Sequence, residues 1–157
     1  MNKNVRTAAA SVLITATLLL TTASAAFAAP PLSVHIEVLE FIAQSGESFT
    51  ASGAAVDAGM LCPSGEVYDV STVISGPAGG AYNILHVLKH FECSDASGTF
   101  DVRLIVHLDN ATHETAASRQ VVEGTGDYAD HHGNGSLVGM PVVAGESIFD
   151  VYDGQVH

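Results

Sequence analysis

The feature that most constrains the fold of this chain is the alternation of apolar and polar side chains within short, glycine-bounded segments. The clearest example is GTFDVRLIVHLDN at residues 98–110. Because successive side chains of a strand point to opposite faces, this pattern predicts a β-strand with one apolar face. That face comprises Phe100, Val102, Leu104, Val106 and Leu108.

Further segments with alternating or β-branched composition predict seven more strands and therefore an all-β domain. These are residues 34–41, 48–54, 66–75, 82–93, 118–123, 135–143 and 148–156. The segment 82–93 also fits a helix, with apolar residues at the spacing i, i+3, i+4 and i+7. Turn-like residues on both sides and the neighbouring strands favour a strand there.

Eight strands predict a closed, antiparallel, up-and-down β-barrel, with a two-sheet β-sandwich as the alternative. Closure removes the exposed edges of the sheet. A barrel of this size is just wide enough for a core of side chains or for one small ligand. The polar residues His35, Glu37, Asp101 and His107 are expected on the outer surface, because small barrels usually turn their apolar face inward.

Cys62 and Cys93 are the two cysteines of the chain. In a secreted protein such a pair predicts a disulfide, whose chain-entropy contribution would be roughly 3.5 to 4 kcal/mol. A free catalytic thiol or half of a metal site are the alternatives.

The N-terminal residues have the composition of a secretory signal peptide. Lys3 and Arg6 precede a short uncharged apolar run, and Ala26-Phe27-Ala28 provides a cleavage pattern. We therefore expect a signal peptide at residues 1–28, a single domain at residues 29–157, and a secreted, extracellular protein. A retained membrane anchor is the alternative, but the apolar run falls short of the ~20 residues that a span needs.

The expected domain is strongly acidic. All 17 acidic residues follow residue 28, against only Lys89, Arg103 and Arg119 as basic residues. Such a charge repels nucleic acids and anionic membrane surfaces. We expect neither as a partner after signal cleavage, and the oligomeric state is left open.

The stretch EGTGDYADHHGNGSLVG at residues 123–139 predicts tight turns between two strands. Gly124, Gly126, Gly133 and Gly135 are the expected turn residues, because glycine adopts positive φ at low cost. A phosphate-binding loop is disfavoured, because no Lys or Arg follows Arg119 and because the stretch carries acidic side chains.

The same stretch resembles the GGTGxYxxLxGxGxL signature near the C-terminus of the allene oxide cyclase barrel-like and dirigent-like superfamily. The segments CPSGEVYDV, FECSDASGTFDVRLIVHLD and FDVYDGQV are similar to small secreted bacterial members of that group. Here Glu123 stands where the signature has its first glycine, and the chain has no Trp. The resemblance implies an eight-stranded barrel and names two activities, isomerisation of a reactive epoxide and steering of radical coupling. It transfers no catalytic residue to this chain.

The loop within this stretch offers candidate ligand contacts at a barrel mouth, namely Asp127, Tyr128, Asp130, His131 and His132. No metal site and no cofactor are expected, because adjacent strand residues point to opposite faces and no recognised zinc spacing occurs.

Two functions follow from the predicted fold. The first is a non-catalytic barrel that binds a small apolar or amphipathic ligand or acts through its surface. The second is a cyclase-like or dirigent-like enzyme, an isomerase if catalytic, that confines a reactive intermediate in the barrel. An open cavity with a buried carboxylate or histidine would favour the enzyme.

Overall fold

The computed structural model describes residues 30–44, 46–77 and 79–157. The expected signal peptide lies outside these described residues. Eight strands and two short helical turns follow one another in the described part. They are β1 (Leu32–Phe41), β2 (Glu47–Ser52), helical turn α1 (Ala54–Asp57), β3 (Ser64–Ser75), β4 (Tyr82–Cys93), β5 (Thr99–Asp109), β6 (Thr115–Gly124), a 3-10 turn (Gly126–Tyr128), β7 (Gly133–Val143) and β8 (Ser147–Val156).

The strands form a closed antiparallel barrel in which each strand pairs with the next one along the chain. The barrel closes where β1 pairs with β8, from Leu32 opposite Val156 to Phe41 opposite Ser147. This confirms the predicted eight-stranded barrel, and the sandwich alternative is not observed. Closure follows from the length of this last pairing, which leaves neither β1 nor β8 as a free edge.

The interior of the barrel is filled at one end by aromatic side chains. Phe49, Phe91 and Phe100 pack together, with ring centroids 4.8 Å apart for the stacked pair Phe91 and Phe100. Tyr152 meets Phe91 edge-to-face at 5.8 Å. Alternation along each strand places these residues inside, as predicted for β5. We call the end of the barrel that carries them the closed end.

The ambiguous segment Tyr82–Cys93 is a strand throughout. It pairs with β3 on one side and with β5 on the other, so its backbone groups are satisfied by two neighbours. The helical spacing of its apolar residues is therefore overridden by long-range pairing, since barrel closure needs a strand at this position.

The predicted disulfide between Cys62 and Cys93 is confirmed, with a Cα–Cα distance of 5.9 Å that suits a disulfide. It links the connection between β2 and β3 to the end of β4, beside the aromatic cluster. The same connection contains α1, and Ala55 on this turn is fully buried against the core.

The prediction that Gly133 and Gly135 are turn residues is wrong. Both belong to β7, where they pair with Val156 and Gly154 of β8. A Cβ at Gly135 would collide with the carbonyl oxygen of Asp153, so the glycines permit close approach of two strands. Gly126 does occupy the turn with φ +60°, and Gly124 ends β6 against the backbone of Tyr128.

The polar residues His35, Glu37, Asp101 and His107 lie on outward-facing positions, as predicted. Their strand neighbours Val34, Ile36, Val102 and Val106 are buried. None of the helices in the described part of the chain is long and apolar enough to cross a bilayer.

Candidate functional site

Four charged residues line a single cavity inside the barrel, at positions where the alternation would lead one to expect apolar side chains. They are Glu40 on β1, Asp69 on β3, Lys89 on β4 and Asp150 on β8. Each lies on the face of its strand that points inward. Glu40 lies two residues after the buried Val38, and Lys89 lies two residues from both Val87 and Phe91, which are also buried. We call these four residues the interior charge cluster.

Lys89 is the centre of the interior charge cluster. Its Nζ donates to Glu40 Oε1 and to Asp69 Oδ1, both at 2.6 Å, and its side chain is 7% exposed. Burial lowers the pKa of Lys89, but the negative charges of Glu40 and Asp69 and their hydrogen bonds outweigh burial and raise it overall. The ammonium group is therefore held in its charged form inside the barrel.

Asp150 forms no ion pair with Lys89 in the described part of the chain. Burial, followed by the negative charge of Glu40 and a side-chain hydrogen bond with Glu40, raises its pKa to about 8, although the charge of Lys89 acts in the opposite direction. Its carboxyl group therefore carries a proton at neutral pH. Its Oδ1 atom is buried and finds no hydrogen-bond partner among the described residues.

Gly139 on β7 makes room for this carboxyl group. A Cβ at that position would collide with both Asp150 Oδ1 and Thr115 Oγ1. The two oxygens therefore converge above the glycine, from β8 and β6. This places two hydrogen-bonding oxygens together on the inner wall of the barrel.

A cavity of about 130 Å³ lies beside the cluster. It opens to solvent at the end where the β1–β2, β3–β4, β5–β6 and β7–β8 connections lie, which we call the open end. Asp69, at 54% side-chain exposure, marks its solvent-facing side. The remaining wall is mostly apolar and comprises Leu85, Val87, Leu104, Val106, Leu137 and Ile148, with the hydroxyls of Thr72 and Thr115.

Tyr152 separates the charge cluster from the aromatic end of the barrel. Its ring is fully buried against Phe91, and its hydroxyl donates to Glu40 Oε1 at 3.5 Å. Burial first, and then the charge of Glu40, raises the pKa of Tyr152 well above its ordinary value. Tyr152 thus remains a neutral hydrogen-bond donor at the boundary between polar and apolar layers.

The loop residues singled out in the sequence lie at the closed end, away from the charged cavity. Tyr128 is buried, packs on Phe100 at 5.8 Å, and its hydroxyl pairs with Ser97 Oγ at 2.7 Å. His131 packs on Tyr128, whereas Asp127, Asp130 and His132 are exposed. The structure therefore brings two of the five together, and their ligand contact stays a prediction.

Arg119 is buried at this closed end as well. It donates from Nε to the Asp153 carbonyl at 3.3 Å, while its Nη2 atom and Nε2 of His131 find no partner in the described ranges. Burial lowers the pKa of Arg119. Both residues line a small cavity of about 10 Å³, which is near the size of one water molecule.

The outer surface of β7, β8 and β1 carries a row of exposed or half-buried apolar side chains. Met140 lies opposite Phe149, which in turn lies opposite Leu39. Met140 is 59% exposed and Leu39 is 41% exposed. This row points away from the interior, so it is a feature independent of the cavity.

The interior charge cluster was not predicted from the sequence. The sequence does contain one indication of the cluster, which is the position of its residues in the strand alternation. Glu40, Lys89 and Asp150 each lie two residues from a strand residue that the alternation places inside. Asp69 lies just before a bulge in β3, between Asp69 and Ser71, which disturbs the phase of that strand. The sequence therefore shows that these charged side chains occupy inward-facing positions, but it does not show which residues of other strands they contact.

Within residues 30–44, 46–77 and 79–157, no group of three or more His, Cys, Asp or Glu side chains is arranged to hold a metal ion. Comparisons with protein-family models, with curated proteins and with solved structures found no match for this chain. The class of protein that the fold and site define is an eight-stranded barrel with a disulfide at the closed end and a charged cavity at the open end.

Proposed function

We propose that this protein is a secreted barrel that binds a small amphipathic molecule in the cavity at the open end. The observation that carries the proposal is the buried, unpartnered Asp150 Oδ1 on the wall of an otherwise largely apolar cavity. Ligand sites commonly combine an apolar wall with a few convergent polar groups. Asp150 would orient the polar group of the ligand, while the apolar wall would bind its body.

The energetic cost of the interior charge cluster supports this role. Well-packed apolar residues in place of a buried ion pair are often neutral or stabilising by about 1–4 kcal/mol. A protein with an apolar core at the open end would therefore be at least as stable as the protein with the interior charge cluster. Residues that break the apolar pattern of a core at such a cost are expected at functional sites.

The proposed location outside the cell rests on the N-terminal composition and on the disulfide. Disulfides persist mainly in oxidising compartments, which agrees with the signal-like residues 1–28. We also propose membership of the allene oxide cyclase barrel-like superfamily, because the sequence signature and the closed eight-stranded barrel point to the same group.

A pair of neighbouring substitutions on β5 tests ligand binding. Val106 lines the cavity, whereas Ile105 points outward and is 42% exposed. We expect Val106→Phe to abolish binding, because the larger ring occupies the cavity, and Ile105→Phe to leave it unchanged. The measurement is native mass spectrometry of protein purified from its own host. Equal retention of co-purified ligand by the two variants would contradict the proposed site.

A second candidate function, the isomerase, is favoured by the open cavity with the buried carboxyl of Asp150, which is the combination expected of an enzyme from the sequence. A carboxyl group with a pKa near the working pH can act as a general acid, and confinement requires few other groups. An isomerase that opens an epoxide could use Asp150 to protonate the developing alkoxide. With a small unsaturated epoxide as substrate, Asp150→Asn would then remove turnover but retain substrate binding, as measured by chiral chromatography and calorimetry. Turnover by Asp150→Asn at the wild-type rate would exclude this role.

A further inference from the structure

We infer that the ligand of the open-end cavity is a small organic cation, an amine whose ammonium group binds between Asp150 Oδ1 and Thr115 Oγ1. This inference rests on the proposed ligand-binding function and names the chemical class of its ligand. It follows from the charge balance of the interior cluster, from the two converging oxygens, and from the shape of the apolar wall.

The charge balance of the cavity favours a cation. Three carboxyl groups, those of Glu40, Asp69 and Asp150, face a single ammonium group, that of Lys89. Lys89 contacts Glu40 and Asp69, which leaves Asp150 without a cationic partner. Even with Asp150 protonated, Glu40 and Asp69 together exceed Lys89 by one negative charge. A bound ammonium would offset this charge, whereas a carboxylate or phosphate ligand would be repelled by it. An anionic ligand is therefore disfavoured at this end of the barrel.

The geometry offers acceptors for an ammonium group. Asp150 Oδ1 is buried without a donor from the described part of the chain, and leaving it so costs free energy. Thr115 Oγ1 converges with it above Gly139. An ammonium group has three N–H donors and no acceptor, so it can donate to both oxygens at once. A hydroxyl has one donor and can satisfy only one of them.

The apolar wall limits the body of the ligand. The cavity measures about 130 Å³. An engineered apolar cavity of about 150 Å³ accommodates benzene, so the space here suits roughly one six-membered ring. Leu104, Val106, Leu137 and Ile148 supply apolar contacts on the cavity wall. A ring with a short aminoalkyl arm, such as benzylamine, is therefore a suitable probe.

Binding of a cation should be coupled to release of a proton. The groups that face Asp150 are Glu40 from β1, Asp69 from β3 and Lys89 from β4, and they contribute to a pKa of about 8 for Asp150. A bound ammonium favours the ionised carboxylate and lowers that pKa. The affinity for an amine should thus rise as the pH increases from 7 through 8, a range that lies below the pKa of aliphatic amines, so the amine itself stays largely protonated.

The test compares three ligands of similar shape by isothermal titration calorimetry: benzylamine, benzyl alcohol and benzoate. At pH 8.5 we expect benzylamine to bind about tenfold or more tightly than benzyl alcohol, because hydrogen bonds to charged groups are the stronger ones. Benzoate should show no measurable binding. Titrations at pH 7 in two buffers of different ionisation heat should show proton release with the amine only.

Asp150→Asn is the informative variant, with Asp153→Asn on the exposed side of the same strand as the control. Asp150→Asn should reduce the affinity for benzylamine to that for benzyl alcohol. Asp153→Asn should leave the affinities for both ligands unchanged. If Asp150→Asn fails to fold, Thr115→Val provides the second probe, with an expected loss of affinity for the amine only.

The outcomes separate the two proposals. Equal or tighter binding of benzyl alcohol or benzoate would overturn the amine inference while leaving the cavity as a ligand site. Failure of all three to bind would overturn the amine inference, and Val106→Phe and Ile105→Phe would then decide the proposed function independently through the co-purified ligand.

Discussion

Lys89 and Glu40, separated by 49 residues in the chain, form a 2.6 Å ion pair across the interior of the barrel. They belong to β4 and β1, which are not neighbours in the sheet. Alternation along each strand turns both side chains inward, and barrel closure brings them into contact. The pair is thus a product of the closed topology and a component of the candidate site.

Removal of the ammonium group should destabilise the protein. Lys89→Met leaves Glu40 buried without its cation, a change that typically costs about 3–5 kcal/mol for a buried pair. We expect the free energy of unfolding to fall by an amount near the lower end of that range, because Asp69 is partly exposed and can be solvated. Urea unfolding measures the effect. Arg103→Met, on an exposed position of β5, is the control and should change stability by less than about 0.5 kcal/mol.

The stability of the protein should fall as the pH rises towards 8. The pKa of Asp150 is raised from 3.8 to about 8 on folding, so the folded state retains a proton that the unfolded chain loses. The free energy of unfolding should therefore decrease from about pH 4 to pH 8 and level off above it, with a total change of a few kcal/mol. Thermal unfolding between pH 5 and pH 9 measures this.

His35 should also make the protein less stable as the pH rises, to a smaller extent than Asp150, because hydrogen bonds to Asp153 and Glu37 raise the pKa of His35 above 6.5. Asp150→Asn should abolish most of the dependence between pH 5 and pH 8, and His35→Gln should leave most of it in place. An unchanged slope in Asp150→Asn would show that Asp150 is ionised in the folded protein at neutral pH.

Loss of the disulfide should cost several kcal/mol. The bond joins residues with a sequence separation of 31, for which chain entropy predicts roughly 3.5 to 4 kcal/mol. Cys62→Ala combined with Cys93→Ala should show this loss in urea unfolding, increased by the two small cavities that remain. Reductant should destabilise the wild-type protein and leave the double variant unaffected. A similar response of both proteins would argue against the disulfide.

Substitutions at two glycines distinguish the effect of strand packing on stability from the effect of backbone conformation. Gly135→Ala places a Cβ against the Asp153 carbonyl between β7 and β8, and we expect a loss of about 3 kcal/mol or more. Gly145 has φ +75° with no atom within 4 Å of a Cβ, so Gly145→Ala should cost only about 1 kcal/mol. Equal losses in urea unfolding would contradict the account of close strand approach.

Much of the fold could be predicted from local patterns. The alternation in residues 98–110 predicts both the strand and its buried face, because the side-chain period of a strand is a local property. The apolar spacing of segment 82–93 fits both a strand and a helix, so only its long-range pairing decides between them. The sequence does not distinguish the glycines at 133 and 135 from turn residues, because a glycine required for positive φ and one required for strand packing have the same sequence letter.

The candidate site could be predicted only in part. The sequence by itself determined the strands, their inward phase, the pair of cysteines and the acidic composition, because each depends on residue type and on nearby spacing. Tertiary structure alone decided that Glu40, Asp69, Lys89 and Asp150 meet in one cavity, that Gly139 leaves space for a carboxyl group, and that Tyr128 lies at the closed end. These contacts join residues on different strands, and their geometry depends on closure and register, which no single segment encodes.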